Sequence, residues 1–366
     1  MGQESKGEMK AIKSAAVFGA AVFGLQAMAY FKVPEVPANV EDGLKFMAEN
    51  VYGVRPDLSG FEARMEVGPV EVGRARDAMG KKVFEYRHKN VKLNTMTPVG
   101  EKEFTTLVYL PKDAKGPVPL FIYISFEPDE LWNGRFPVRE ILERGSGAAI
   151  FFYEDVMPDR WKEIQSIKNR APNAWGTISA WALAASRVVD WAVQDKDVDS
   201  RYIAIVGHSR LGKTALWTGA NDKRIALTCV NNSGCFGARL HAANLEIDAP
   251  HMIGGETIAT ITSWVGYWFA PNAKKFVGKE QELPFDQHWV TAAVAPRLLA
   301  IGSADLDAWA CPSGEFANFE VTKNYYQSKD AAENIHYHVR HGEHALSLYD
   351  WNEYLNFAKG RGWPLK

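Results

Sequence analysis

Four short, near-continuous apolar runs are the feature of this sequence that most constrains its fold. They lie at residues 118–125, 148–153, 202–207 and 298–303. Apolar residues without alternation indicate β-strands that are covered on both faces, as in parallel sheets. Helical spacing of apolar residues is found at 175–194, 212–220 and 350–359. This alternation predicts an α/β fold, a three-layer sandwich with a mostly parallel central sheet and helices on both faces.

The segment that precedes these runs has a different pattern. Partial alternation of apolar and polar side chains predicts strands at residues 67–72, 83–93 and 104–110. We expect these strands to form an N-terminal antiparallel extension, with a helix before them at residues 40–51. Residues 157–173 and 239–282 are weakly periodic, and we expect these long segments to form the walls of a functional site.

The N-terminus has the order of a secretory signal peptide. Lys10 and Lys13 precede an uncharged run at residues 14–25, and small residues follow up to Ala29. We expect residues 1–29 to be cleaved and the protein to be secreted or periplasmic. The uncharged run is shorter than the roughly 20 residues of a membrane span, which predicts no membrane association after cleavage.

Composition excludes several classes of protein. The 42 lysine and arginine residues nearly balance the 44 acidic residues, so no strong field attracts nucleic acid. The three cysteines, at positions 229, 235 and 311, lack the spacing of a metal site. Because no metal or redox motif is evident, we expect no metal and no cofactor. Residues 30–366 are expected to form a single, monomeric domain.

A strand-to-helix junction carries a motif with two chemical meanings. It reads Gly207-His208-Ser209-Arg210-Leu211-Gly212-Lys213-Thr214. As G-x-x-x-x-G-K-T it is a phosphate-binding loop, in which Lys213 contacts phosphates and Thr214 binds magnesium. As G-x-S it is a nucleophile elbow, a sharp turn that exposes Ser209 at the edge of the sheet. The motif alone fits both.

Other residues favour the elbow. That chemistry needs an acid and then a histidine, each after a later strand. Asp307 follows the strand predicted at 298–303, and His344 follows one predicted at 335–340. A serine hydroxyl becomes a useful nucleophile when an imidazole takes its proton and a carboxylate orients that imidazole. The predicted catalytic set is therefore Ser209, His344 and Asp307.

Neighbouring residues leave alternatives open. Asp305 shares the loop of Asp307 and is the alternative acid, while His341 is the alternative base. His336 and His338 fall inside the predicted strand, and we expect them to be structural.

Six ordered motifs together resemble the glucuronoyl esterases of carbohydrate esterase family 15. They are the run from Gly207 to Lys213, Asn232-Ser233-Gly234, Leu283-Pro284-Phe285-Asp286-Gln287-His288, Ala295-Pro296-Arg297, Asp307-Ala308-Trp309 with Gly314-Glu315-Phe316, and Gly342-Glu343-His344 with Asp350-Trp351. The likeness covers roughly residue 51 to the C-terminus. It implies a secreted α/β-hydrolase that cleaves esters between glucuronic acid on xylan and lignin alcohols.

The resemblance also implies residue roles. Ser209 is then the nucleophile, His344 the base and Arg210 part of the oxyanion hole. Contacts to the uronate sugar are implied for Lys213, Glu256 and Trp309. The implied reaction is hydrolysis of a 4-O-methyl-glucuronate ester through an acyl-enzyme, with a glucuronoxylan or lignin-carbohydrate ester as the substrate.

Two positions depart from the family pattern. Asn232 stands where many members carry a catalytic glutamate, and an amide cannot offset the charge of an imidazolium. The acid must then come from elsewhere, and the resemblance to some bacterial members implies the loop after the next strand of the sheet, where Asp307 stands. His208 replaces a cysteine of the fungal members.

Three other functions remain as alternatives. Another carbohydrate esterase, such as an acetylxylan esterase, would use the same catalytic set. A phosphate-loop nucleotide-binding protein would bind ATP with magnesium. A carbohydrate-binding protein on an inactive hydrolase fold, suggested by Asn232, would bind sugar without turnover.

Overall fold

The computed structural model describes residues 33–76, 83–128, 135–162, 170–243 and 255–366. The predicted signal peptide lies outside the described residues. None of the described helices has the length and apolar character needed to cross a bilayer.

Within these residues, a ten-stranded mixed sheet forms the centre of the molecule. Its strands are β1 (Met65–Val67), β2 (Glu71–Arg76), β3 (Val83–Thr97), β4 (Gly100–Pro111), β5 (Val118–Ser125), β6 (Gly147–Phe152), β7 (Val198–His208), β8 (Leu227–Asn231), β9 (Leu298–Ala304) and β10 (Ile335–Arg340). The spatial order is β1-β3-β4-β6-β5-β7-β8-β9-β10, and β2 also pairs with β3. Strands β5 to β10 are parallel, whereas β1 to β4 join by antiparallel pairing. The predicted α/β fold with an antiparallel extension is confirmed.

Helices cover both faces of the sheet. They are α1 (Val40–Met47), α2 (Val138–Glu143), α3 (Tyr153–Val156), α4 (Thr177–Ala192), α5 (Arg210–Asn221), α6 (Ile258–Val265), α7 (His288–Ala292), α8 (Pro312–Gln327) and α9 (Leu348–Gly360), with 3-10 turns at Gly266–Trp268, Pro271–Phe276 and Ala332–Asn334.

Strand β5 explains why the structure has three layers. Leu120 and Ile122 pack into one core with α4 and α5, whereas Phe121 and Tyr123 pack into a second core with α2 and α9. Successive side chains of a strand point to opposite faces, so an uninterrupted apolar run supplies both cores.

Three boundaries differ from the sequence expectations. The strand predicted at 67–72 is wrong, because this stretch contains the gap between β1 and β2, where Pro69 has no N–H to donate to a ladder. The helix predicted at 40–51 is α-helical only to Met47 and continues as a π-helical turn, Ala48–Tyr52. Strand β8 is missing from the sequence analysis because its five residues include Thr228 and Asn231, and both are buried.

The topology brings four loops to one edge of the sheet. Strands β7, β8, β9 and β10 are parallel neighbours, so their carboxyl ends lie side by side. Ligand sites of open α/β sheets form at this edge. The residues that follow these strands here are Ser209, Asn232, Asp307 and His344.

Close packing of α5 on β8 makes a first prediction. A Cβ on Gly219 would lie 2.0 Å from Thr228 Oγ1 and 2.7 Å from its Cγ2, and Thr228 is fully buried in the centre of the sheet. We expect Gly219→Ala to lower the free energy of unfolding by about 1–3 kcal/mol, measured by urea denaturation. Gly360→Ala is the matched control, because nothing lies within 4 Å of a Cβ there. Equal stability of the two variants would contradict this packing.

Candidate active site

A strained turn exposes the Ser209 side chain between β7 and α5. Ser209 has φ 56° and ψ −127°, a conformation that non-glycine residues rarely adopt. Its N–H donates to Asn231 O at 2.9 Å. A Cβ on Gly207 would lie 1.9 Å from Leu211 O, so only glycine permits the chain to turn this tightly. A nucleophile elbow has this geometry.

The phosphate-loop interpretation does not fit the same turn. Only Ser209 separates the end of β7 from the start of α5, which leaves no loop to surround a phosphate. Lys213 Nζ instead donates to Ser233 O at 2.6 Å and pairs with Glu256 Oε2 at 2.9 Å. Thr214 Oγ1 donates to Arg210 O, one turn back in the helix.

A continuous hydrogen-bond relay begins at Ser209. Its Oγ lies 2.8 Å from His344 Nε2, and His344 Nδ1 lies 2.6 Å from Asp307 Oδ2. Three loops, after β7, β10 and β9, supply these residues. Such a relay can transfer the serine proton to the imidazole while the carboxylate holds the ring.

The environment of Asp307 keeps it ionised. Burial raises the pKa of its carboxyl, but the hydrogen bond and charge of His344 and the hydrogen bonds from Asn232 and the Ala310 N–H outweigh burial and leave the pKa below its usual value. Asn232 Nδ2 donates to Asp307 Oδ2 at 2.6 Å. Asn232 is therefore a hydrogen-bond donor to the acid. Its amide has no carboxylate that could pair with His344.

Asp305 and His341, the alternative acid and the alternative base, pair with each other. His341 Nδ1 lies 2.9 Å from Asp305 Oδ2, and the side chains of both residues are exposed. Asp305 also accepts from the Gly342 N–H at 2.9 Å. Within the described residues, Asp307 is thus the acid of this loop that faces His344.

The side chain of His208 packs beside the relay. Its ring centroid is 4.6 Å from that of His344, and its Nδ1 lies 2.7 Å from Asn231 Oδ1. Burial, and then the nearby His344, lower the pKa of His208 to about 3. His208 is therefore a neutral ring at neutral pH.

Arg210 is held by an acidic and aromatic pocket. Its Nη1 donates to Asp159 Oδ2, and the guanidinium lies 5.0 Å from the centre of the Trp268 ring. Asp159 is itself fixed by Tyr267 Oη at 2.7 Å and Trp268 Nε1 at 2.6 Å. These contacts orient the guanidinium next to the serine.

The relay opens into a cleft of about 340 Å³. Lys213 and Glu256 form a buried ion pair in its wall, and Trp309 stacks on Trp264 at the rim, with ring centroids 5.4 Å apart. The segments expected to form walls contribute Asp159, Glu256, Trp264, Tyr267 and Trp268 to the lining. The cleft therefore combines charged groups inside with aromatic faces at its mouth, and a few converging polar groups of this kind fix the orientation of a bound ligand.

Comparisons with known proteins identify the family of this chain. A family model described as glucuronyl esterase of fungi matches residues 99–329. A carbohydrate esterase from an unknown prokaryotic organism is 32% identical, over 81% of this chain and 82% of its own. The chain belongs to the glucuronoyl esterase family.

Two further family members show how much of the chain is similar to known proteins. The 4-O-methyl-glucuronoyl methylesterase of Hypocrea jecorina is 30% identical, over 49% of this chain and 38% of that protein, so the match spans well under two thirds of the fungal relative. The solved glucuronoyl esterase of Solibacter usitatus superimposes with a TM-score of 0.75 at 29% identity, over 89% of this chain and 92% of that one. The α/β-hydrolase fold of the family is therefore shared along most of the chain.

Sequence reasoning missed three residues around this glucuronoyl esterase site. Asp159 lies in a segment that was expected to form a wall, but its pairing with Arg210 joins residues far apart in the chain. Trp264 lies in the other such segment, with no local pattern to single it out. Glu315 stands in the family-like motif Gly314-Glu315-Phe316, which was its only signal.

Glu315 anchors the loop that follows β8. Its Oε1 accepts from the N–H groups of Ser233 at 2.7 Å and Gly234 at 3.0 Å, and its Oε2 lies 2.6 Å from Ser303 Oγ. Burial raises the pKa of the Glu315 carboxyl to about 7, with a smaller contribution from the charge of Asp307. This carboxyl thus fixes the backbone that carries Ser233 O, the acceptor for Lys213.

The raised pKa of Glu315 predicts a pH-dependent stability difference. Because its folded pKa exceeds the ordinary 4.5, its protonated form stabilises the fold below pH 4.5, and this contribution is lost as pH rises toward 7. The side chain of Glu315→Gln has an acceptor and a neutral donor at every pH. This variant should therefore keep the stability that the wild type loses as the pH rises. We expect the variant to gain up to about 3 kcal/mol over wild type between pH 4.5 and 7, by urea denaturation at each pH. A constant difference across this range would contradict the assignment.

Proposed function

We propose that the protein is a serine esterase that hydrolyses 4-O-methyl-glucuronate esters, the linkage between glucuronoxylan and lignin alcohols. The observation that carries this proposal is the relay from Ser209 to Asp307, which opens into a cleft walled by the Lys213–Glu256 pair. Its curated fungal relatives are named for 4-O-methyl-glucuronoyl ester cleavage, which supports the substrate class.

The first half of the reaction forms an acyl-enzyme. His344 Nε2 takes the proton of Ser209 while Oγ attacks the ester carbonyl of the uronate. Asp307 accepts the hydrogen bond of Nδ1–H and offsets the charge of the imidazolium. The tetrahedral intermediate collapses as His344 returns the proton to the departing alcohol. In the second half, His344 takes a proton from water as the water oxygen attacks the acyl carbonyl, and it returns this proton to Ser209 Oγ as the bond to the uronic acid breaks.

Arg210 is the proposed oxyanion donor. Its backbone N–H lies at the start of α5, where helix N–H groups are unpaired, and its guanidinium is fixed by Asp159 on the same side of the cleft. A positive group held in a partly buried site stabilises a developing oxyanion more strongly than it would in water.

Substrate contacts are assigned to the cleft walls. Lys213 and Glu256 already pair with each other, so they can donate to and accept from neighbouring sugar hydroxyls with little rearrangement. Trp309, with 39% of its surface exposed, offers an aromatic face for a sugar ring.

Secretion or periplasmic location, and action as a monomer, are part of the same proposal. The N-terminal order of lysines, apolar run and small residues supports export. All residues of the relay come from one chain, so catalysis needs no partner subunit.

The proposal is tested by two substrates and two serine variants. Hydrolysis of benzyl glucuronate and of 4-nitrophenyl acetate is measured for the wild type, for Ser209→Ala and for the exposed control Ser59→Ala. We expect the wild type and Ser59→Ala to cleave the uronate ester with higher kcat/KM than the acetate. Ser209→Ala should lose at least about 1000-fold, because Ser209 Oγ is the hydroxyl that contacts His344 Nε2.

Other results would change the assignment. Cleavage of the acetate alone would indicate another carbohydrate esterase, such as one acting on acetylxylan. Sugar binding without cleavage of either ester would indicate a binding protein on this fold. Uronate hydrolysis that survives in Ser209→Ala would exclude the proposed nucleophile.

A further inference from the structure

Two histidines and a glutamate form a cluster at the edge of the sheet, apart from the relay. His336 and His338 lie two residues apart on the edge strand β10, so their side chains share one face. Glu353 lies on α9, which packs on β10. One ligand atom from each of the three residues lies within 4.8 Å of the others. His336 Nε2 and Glu353 Oε2 are 3.4 Å apart. Two ligands of a tetrahedral zinc ion, with bonds of about 2.0–2.2 Å, are separated by about this distance.

One imidazole nitrogen of each histidine in this cluster is buried and makes no hydrogen bond. His338 is 6% exposed, and its Nδ1 is buried without a hydrogen-bond partner. His336 Nε2 is also buried and makes no hydrogen bond. Buried polar atoms without a partner are uncommon in native proteins and call for an explanation. Two imidazole nitrogens and a carboxylate this close together are a donor set that suits a divalent transition metal.

Surrounding residues orient both rings for this role. His338 Nε2 lies 2.9 Å from Asp350 Oδ1, which directs the ring proton to Nε2 and leaves the Nδ1 lone pair free. A carboxylate behind a metal-binding histidine is the usual supporting contact. The His336 ring stacks on Phe357, with centroids 5.1 Å apart and planes 20° from parallel. These contacts fix the orientation of both rings before any ion binds.

We propose that His336 Nε2, His338 Nδ1 and Glu353 bind a zinc-like divalent transition-metal ion. Glu353 and His336 are each about one-third exposed, so the ion has an entry path and water can complete the coordination. This proposal differs from the sequence-based expectation that the protein binds no metal.

Such an ion would stabilise the loop that carries His344, the proposed base. Asp350, which holds His338, also accepts from Arg340 Nε at 3.0 Å. Arg340 Nη2 in turn donates to Glu343 O at 2.7 Å and Ala345 O at 2.6 Å, the residues on either side of His344. A metal that ties β10 to α9 thus stabilises the frame of this loop without contacting the relay.

The test is calorimetric titration of zinc chloride into the chelator-treated, tag-free protein. We expect saturable binding of one ion per chain, which His336→Gln and Glu353→Gln each weaken at least tenfold. His88→Gln is the matched control, because His88 also faces a glutamate from a strand, with Nε2 3.8 Å from Glu71 Oε2. Among the described residues, His88 belongs to no group of three such ligands. Zinc should also raise the melting temperature of wild type and of His88→Gln, but not of the other two variants.

Two results would overturn the proposal. The first is a wild-type protein that shows no saturable zinc binding, which needs no variant to interpret. The second is binding that persists unchanged in His336→Gln and Glu353→Gln, which would locate the ion elsewhere.

Magnesium chloride in place of zinc chloride should give no binding, because magnesium prefers oxygen ligands. Melting curves without zinc verify that each variant is folded.

Discussion

The close approach of α5 to Gly207 is the constraint on which the site depends. Because the Leu211 carbonyl occupies the space where a Cβ would lie, the chain must leave β7 through a single strained residue. This residue is Ser209, and the turn lifts its hydroxyl out of the sheet toward the loops after β9 and β10. The surrounding structure must over-determine such a strained conformation. The hydrogen bond from Ser209 N–H to Asn231 O and the buried packing of α5 on β8 do so.

Four buried carboxyl groups surround that turn, and each is matched to a different kind of partner. Asp159 pairs with Arg210, Glu256 with Lys213, and Asp307 with His344. Glu315 has backbone N–H groups and a serine hydroxyl as partners, without a cation, and its pKa is raised to about 7. A buried carboxylate that lacks a cation tends to take up a proton, whereas a paired one stays ionised. The site thus keeps Asp307 charged while it holds a carboxyl nearby in a readily protonated state.

The sequence predicted most of the fold because both-sided burial leaves a local pattern. Strand β5 is predicted residue for residue, since every one of its side chains enters a core. Strand β8 is equally buried, but Thr228 and Asn231 interrupt its apolar character, and their burial depends on neighbouring strands that no local window contains. Likewise, the spacing predicted Ser209 and offered two acids for His344. The choice between Asp305 and Asp307 depends on which side of one loop faces the imidazole, and only the three-dimensional structure contains that information.

The proposed acid is the part of the account that a single comparison tests best. The resemblance implies a glutamate where Asn232 stands, and Asn232 donates to Asp307, so the carboxylate that contacts His344 comes from the loop after β9. The decisive measurement is kcat/KM on benzyl glucuronate for Asp307→Asn and Asn232→Ala. Loss of about 1000-fold or more in Asp307→Asn, with less than about tenfold in Asn232→Ala, is predicted. The reverse ranking would contradict the account.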